Sequence, residues 1–245
     1  MTHQTIIVLD FGSQLTQLIA RRLRELSVYS EILPFDTPLA AVLERTPAGV
    51  ILSGGPKSVS EPGAPHCDPA VFAAGLPVLG ICYGMQLMTH ALGGEVAAAP
   101  HREFGLATIS VAPRAPLFES IPSTLRVWAS HGDFVKAAPA GFDVTATSAN
   151  APVAAMAAPD RRLYGLLFHP EVAHTDHGVD MLRHFAFDVC GCTGDWTMSS
   201  FVDEASARIR EQVGDGRVVL GLSGGVDSTV AAMIVHRAIG ERLTC

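Results

Sequence analysis

Gly80-Ile81-Cys82-Tyr83-Gly84 places a thiol between a strand-like apolar run and a helix-like run. The segment has the form Gly-x-nucleophile-x-Gly. Its glycines permit a sharp, strained strand-to-helix turn that presents the middle residue at a helix N-terminus. There the helix dipole and free N–H groups favour a thiolate. A second group, Phe168-His169-Pro170-Glu171, closes the apolar run from Leu163 to Phe168. In an extended segment residues two apart face one side. The Glu171 carboxylate can then approach the His169 imidazole and hold one tautomer. A base oriented by a carboxylate is what a cysteine nucleophile needs. A third group, Ser53-Gly54-Gly55-Pro56, follows the apolar run Val50 to Leu52. A glycine-rich turn at a strand end can point backbone N–H groups at a developing oxyanion. Taken singly, each has a plainer reading. Cys82 can be a small core residue, His169 and Glu171 a solvated turn, and the glycines a loop.

The elements that must position these groups alternate in type. Thr5 to Leu9 reads as a buried strand, with Ser13 as N-cap of a helix whose apolar positions are Leu15, Leu18, Ile19, Leu23 and Leu26. Strands follow at Tyr29 to Leu33, Val50 to Leu52 and Pro77 to Gly80, with helices at Leu39 to Glu44 and Gly84 to Leu92. Strands alternating with helices predict an α/β fold: a mostly parallel twisted sheet with helices on both faces, flavodoxin-like. From Glu95 to Phe168 short β-like runs separated by Pro and Gly predict extra strands, some antiparallel. A helix is expected around Val179 to Val189. A cluster of Gly, Thr and Asp then marks a boundary. Past it come a helix, Phe201 to Val213, a strand, Arg217 to Leu222, a glycine turn, and a helix from Ser228 to about Ile239. The expected division is a first domain over 1–192, a linker over 193–198, and a second unit over 199–245 that is too short for an independent α/β domain.

Composition limits the classes of function. The chain has 245 residues, 48% hydrophobic and 17% charged, which suits a compact protein with a sizeable core. Its formal net charge is −7 and it has no run of Lys and Arg, so neither a nucleic-acid nor an anionic-membrane surface is expected. No apolar run reaches the ~18 to 20 residues that span a bilayer, and the N-terminus does not read as a signal peptide. The expected location is cytoplasmic. Five cysteines at irregular spacing argue against a disulfide framework. Cys190-Gly191-Cys192 has no second ligand pair at finger spacing, and no metal site is expected.

Together, SGGP at 53–56, GICYGMQ at 80–86 and FHPE at 168–171 resemble the class I, or triad, glutamine amidotransferases. The order and spacing match over roughly residues 5 to 190. The resemblance implies a Cys82, His169, Glu171 triad that hydrolyses glutamine to glutamate and ammonia. It also implies an oxyanion hole from the backbone N–H groups of Gly55 and Tyr83, with Gln86 contacting bound glutamine and no cofactor for this half. Trp128-Ala129-Ser130-His131-Gly132-Asp133 looks like the loop that binds the glutamine α-amino and α-carboxylate groups in the GMP synthase branch, with Gly132 and Asp133 as contacts. His131, a conceivable second base, is structural by that resemblance. The run HPEVAHT over 169–175 is typical of the same branch, and His174 and His177 read as loop or interface residues more readily than as metal ligands.

Leu222-Ser223-Gly224-Gly225-Val226-Asp227-Ser228 lies between a strand and a helix, where backbone N–H groups cradle phosphate. It lacks the Gly-Lys-Ser/Thr ending of the Walker loop. It resembles the pyrophosphate-gripping loop of ATP pyrophosphatases, with Ser223 to Ser228 as ATP-binding residues. An amidotransferase joined to such a loop is the architecture of the GMP synthase branch. The resemblance implies ATP, Mg²⁺ and xanthosine monophosphate for the full synthase, and a homodimer. It also makes 199–245 the start of a longer domain. Two positions depart from the usual pattern, Leu167 where Gln is common and Ala129 where Met is. The rival readings are an amidotransferase component of another pathway, a γ-glutamyl hydrolase, and a non-catalytic amidotransferase-like module. The first two lack the fused ATP loop, and the third has no need of the intact triad.

Overall fold

The structure, a computed structural model, describes residues 3–113 and 115–245, with only the backbone at residues 100–102. The chain forms two compact units, Met1–Asp195 and Trp196–Cys245.

The first unit is built on one sheet. Its strands are β1 (Thr5–Asp10), β2 (Tyr29–Pro34), β3 (Gly49–Leu52), β4 (Val78–Ile81), β5 (Glu95–Val111), β6 (Thr124–Ala137), β7 (Asp143–Ser148), β8 (Ala155–Ala158) and β9 (Leu163–Leu166). They lie in the order β2-β1-β3-β4-β9-β8-β7-β5-β6. From β2 to β9 every pairing is parallel, and from β9 to β6 every pairing is antiparallel. Every residue of β3, β4 and β9 is buried. Alternate side chains point to opposite faces, so both faces of this half are covered, as a parallel sheet requires.

Helix α1 (Thr16–Glu25) buries Thr16, Ile19, Ala20 and Leu23, one stripe at helical spacing. Ser13 is not its N-cap. Leu15 holds that position without a side-chain cap, because Ser13 Oγ instead accepts the N–H of Leu15 (3.0 Å) and shapes the turn before the helix. Helix α2 (Leu39–Leu43) is short. Helix α3 (Tyr83–Ala91) buries every residue from Tyr83 to Thr89. It lies close to β3 and β4 because two glycines leave room. A Cβ at Gly84 would stand 2.6 Å from Leu52 Cβ, and one at Gly80 would stand 2.6 Å from Gly84 C and O.

The antiparallel half differs from its sequence reading. The runs between 95 and 137 are two long strands of 17 and 14 residues rather than several short ones. Strand β5 passes through Pro100 and through Gly105, which takes φ +114, so neither residue ends it. The β5–β6 ladder breaks between the pairs Ala98–Asp133 and Glu103–His131. The expected helix near 179–189 is α4 (Gly178–Arg183), continued by a π-helical stretch, His184–Val189.

In the second unit α5 (Met198–Val213) starts three residues earlier than its apolar pattern. Thr197 caps it, its Oγ1 accepting the Ser200 N–H at 3.1 Å while Ser200 Oγ accepts the Thr197 N–H at 2.9 Å. Strand β10 is only Val218–Val219, paired in parallel with β11 (Leu243–Thr244). Helix α6 (Val226–Ile239) begins two residues before Ser228 and leaves Val226, Val230 and Met233 exposed. Among the described residues no helix is long and apolar enough to cross a membrane.

The close approach at Gly84 generates a prediction. Gly84→Ala forces α3 off β3 and should destabilise the chain by about 1–3 kcal/mol or more, read as a lower denaturant midpoint at unchanged slope. An unaltered midpoint contradicts this packing.

Candidate active site

Parallel strands deliver their C-terminal ends to one edge, and the sites of such folds form there. Strand β3 ends at Ser53-Gly54-Gly55, β4 at Cys82, and β9 leads to His169. Ser53 is fully buried and joins three segments. Its Oγ accepts the Phe11 N–H (3.0 Å) and donates to Gly54 O (2.9 Å), and its carbonyl accepts the Gly84 N–H (3.1 Å).

Cys82 stands at the N-cap of α3 with φ 51 and ψ −106, a backbone conformation rare for a residue with a side chain. Its N–H donates to Leu166 O on β9 (2.7 Å), and its carbonyl accepts the Gln86 N–H (3.1 Å). The thiol donates to Ser130 O of β6 at 3.7 Å. His169 is buried, and its Nδ1 meets Glu171 Oε1 at 2.8 Å. Cys82 is the ring's other close neighbour and raises its pKa. A Cβ at Gly54 would lie 3.0 Å from His169 Cε1 and 3.7 Å from Cys82 Cβ, so this glycine leaves the two side chains room to meet.

The structure therefore brings Cys82, His169 and Glu171 together, but by a different local route from the extended run. Strand β9 stops at Leu166, and His169, Pro170 and Glu171 lie in the turn that follows. The side chains converge because the chain bends at Pro170. The turn is fastened from outside. His169 N–H donates to Trp128 O (3.0 Å), and Arg22 Nε of α1 donates to Glu171 O (3.0 Å).

Burial is the largest influence on the His169 imidazole and acts to lower it. Hydrogen bonds and negative charge from Cys82 and Glu171 outweigh burial, and raise it from the usual 6.5 to about 10. The imidazolium is the favoured form at neutral pH. Glu171 is fully buried, and its Oε2 has no hydrogen-bond partner among the described residues, so the imidazole is what its side chain holds.

Tyr83 is the first residue of α3, where backbone N–H groups have no intrahelical acceptor. Its hydroxyl donates to Pro65 O at 2.7 Å. Gly55 packs against Phe11, whose carbonyl oxygen a Cβ would meet at 2.8 Å. Gln86 is buried, and its Nε2 donates to Asp133 O (3.0 Å), tying α3 to β6. The segment 128–133 is part of strand β6, not a loop. Gly132 falls where the β5–β6 ladder is interrupted, which gives this stretch its irregularity. His131 is buried with Nε2 3.3 Å from Glu103 Oε2. Burial, its main influence, holds it below the usual histidine range despite that carboxylate. Its Nδ1 is buried and has no hydrogen-bond partner among the described residues.

Sequence reasoning missed the Ser130 carbonyl and Glu103. A backbone oxygen has no residue signature. Glu103 is remote in sequence from the residues it joins, His131 on β6 and Asn150 in the β7–β8 turn, whose Nδ2 donates to it at 2.9 Å. Among the described residues no group of three or more His, Cys, Asp or Glu could hold a metal ion. The His174 ring lies tilted by 40° against Trp128, with ring centroids 5.1 Å apart, and His177 Nδ1 meets Asp180 Oδ2 at 2.9 Å. Cys190 and Cys192 are free thiols, raised by burial, Cys192 to about 11.

In the second unit, Ser223, Gly224 and Gly225 form an exposed turn, and Val226, Asp227 and Ser228 open α6. Ser223 Oγ and Ser228 Oγ are 3.0 Å apart, and Ser228 Oγ donates to Gly225 O at 3.0 Å.

A strained strand-to-helix turn bearing Cys82 beside a buried His–Glu pair, on the C-terminal edge of a parallel sheet, marks the class of α/β folds whose site lies at that edge. The family model for glutamine amidotransferase class-I matches residues 7–189, and the chain belongs to that family. The NAD synthase family model matches residues 199–244. Curated relatives include a GMP synthase (glutamine-hydrolyzing) of Parafrankia sp., 56% identical over 243 residues, covering 99% of this chain and 46% of the relative. Another is the GMP synthase (glutamine-hydrolyzing) of Geobacillus kaustophilus, 56% identical over 245 residues, covering 100% of this chain and 48% of the relative. The chain thus spans about half the length of the curated relatives it matches. The crystal structure of a Thermoplasma acidophilum protein, provisionally described as one component of a GMP synthase, superposes with a TM-score of 0.68 at 33% identity, covering 78% of this chain and 96% of that one.

The coupling of the two side chains can be measured. Cys82→Ala removes the largest of the influences that raise His169, so its titration, followed by NMR, should move from about 10 toward 6.5. The raised value also has a sign for stability. The contribution is complete below pH 6.5 and is lost as pH rises through about 10. His169→Asn should lack that slope in denaturation series, and an equal slope in the variant contradicts the ion pair.

Proposed function

We propose that this chain is the glutaminase part of a GMP synthase. The observation that carries the reading is the buried His169–Glu171 pair beside Cys82 at the strained turn. Glutamine binds with its side-chain amide over Cys82, and Gln86, Gly132 and Asp133 line the substrate. The thiolate attacks the amide carbon, forming a C–S bond. The oxyanion is held by the N–H groups of Gly55 and Tyr83, and losing one such donor typically costs about 3–4 kcal/mol of transition-state stabilisation. The His169 imidazolium gives its proton to the amide nitrogen as the C–N bond breaks, releasing ammonia and leaving a γ-glutamyl thioester. Neutral His169 then takes a proton from water, which attacks the thioester. The C–S bond breaks, and glutamate, thiolate and imidazolium result. Glu171 orients the ring and supports its charge throughout.

In the full synthase the ammonia aminates xanthosine monophosphate that ATP has adenylylated, giving GMP in purine nucleotide biosynthesis. The exposed turn Ser223–Gly225 and the first residues of α6, Val226, Asp227 and Ser228, fit the phosphates of ATP. They offer hydroxyls and helix N-terminal N–H groups. Mg²⁺ bound with ATP would supply charge neutralisation at the phosphates. Support for this part is the match of residues 199–244 and the names of the longer relatives. The reading includes a domain division at 193–198, a cytoplasmic homodimer, and no nucleic-acid or membrane partner.

Steady-state ammonia release tests the reading. The chain should release ammonia from glutamine, and Cys82→Ala should abolish it. Turnover surviving in Cys82→Ala rejects the nucleophile assignment.

A further inference from the structure

We infer that Thr175 is a positioning residue for His169, an inference that rests on the reaction proposed above. His169 sits three residues past the end of β9, outside any ladder. What fixes its backbone is β6, and Thr175 supplies half of that attachment. The Thr175 side chain is buried, and its hydroxyl donates to the His169 carbonyl at 2.6 Å. The same oxygen accepts the Trp128 N–H at 3.0 Å. The His169 N–H donates to Trp128 O at 3.0 Å, and the Asp176 N–H to Arg126 O at 2.9 Å. Both ends of the turn segment 169–176 are therefore fastened to β6, with the Thr175 hydroxyl bridging the His169 carbonyl and the Trp128 N–H, which no direct peptide–peptide bond joins. Two residues further along β6, Ser130 O receives the Cys82 thiol at 3.7 Å. One strand thus holds the backbone of the base and touches the nucleophile, and Thr175 keeps them in register.

The hydroxyl is used as donor and acceptor at once, which fits Ser and Thr and excludes Val. Thr175→Val keeps the side-chain shape but leaves a buried N–H and a buried carbonyl unpaired. The bend at Pro170 then relaxes, and the ring drifts from Cys82 and Glu171.

The test compares Thr175→Val, Thr175→Ser and the unaltered chain, by kcat and KM for ammonia release from glutamine and by the NMR titration of His169. The expected result for Thr175→Val is a kcat lower by about ten- to hundredfold, the effect of a small misplacement of a reacting group. KM stays near that of the unaltered chain and the His169 titration falls below about 10. Thr175→Ser should restore both. An unchanged kcat and titration in Thr175→Val overturns the inference, as does Thr175→Ser behaving like Thr175→Val. If Thr175→Val does not fold, Thr175→Ala carries the same comparison. An unaltered chain that releases no ammonia counts against the proposed reaction, and the His169 titration still decides the part played by Thr175.

Discussion

The backbone of Cys82 is held at φ 51 and ψ −106, and the rest of the site is arranged around keeping it there. A non-glycine residue in such a region costs on the order of 1–3 kcal/mol and persists only where its surroundings over-determine it. Here they do. The Cys82 N–H is drawn to β9 through Leu166 O, and α3 is pressed onto β3 through Gly84. Strand β4, which leads into the turn, lies between β3 and β9. The strands that flank the strained residue are thus the ones that carry SGGP and FHPE. The bend that turns the thiol toward β6 and the convergence of its partners have a single cause.

The two halves of the sheet divide the task. The parallel half supplies Cys82, the glycine turn and His169 from its C-terminal edge. The antiparallel half supplies a wall, β6, against which the thiol, the Gln86 amide and the His169 backbone are all seated. Burial of His169 and Glu171 acts in two directions. It disfavours each charge alone and strengthens their attraction to one another. In His169 the interactions with Cys82 and Glu171 outweigh the cost of burial.

Much of this is legible in the residues. GICYGMQ announces a strand-to-helix turn with a thiol at its apex, and the alternation of apolar runs announces the parallel half. The sequence places Glu171 beside His169 for a reason that the structure replaces, a turn at Pro170 instead of an extended strand. Local pattern sees that two residues are near in sequence but not how the chain bends between them. The long β5–β6 hairpin reads as short pieces because Pro and Gly ordinarily punctuate strands, and here Gly105 is absorbed at positive φ. Ser13 carries a cap signature, yet its hydroxyl closes a turn before the helix. Glu103 and the Ser130 carbonyl enter only through tertiary pairing, which no single segment encodes.

Everything proposed for the site depends on Cys82 being an activated thiolate in a formed glutamine pocket. The most direct test is labelling with a diazo-ketone analogue of glutamine, with the adduct located by peptide mass spectrometry. It needs one nucleophilic attack and no turnover. One adduct per chain is predicted, on Cys82 and on none of Cys67, Cys190, Cys192 or Cys245, blocked by excess glutamine. An adduct that glutamine does not block, or that falls on another cysteine, contradicts the assignment.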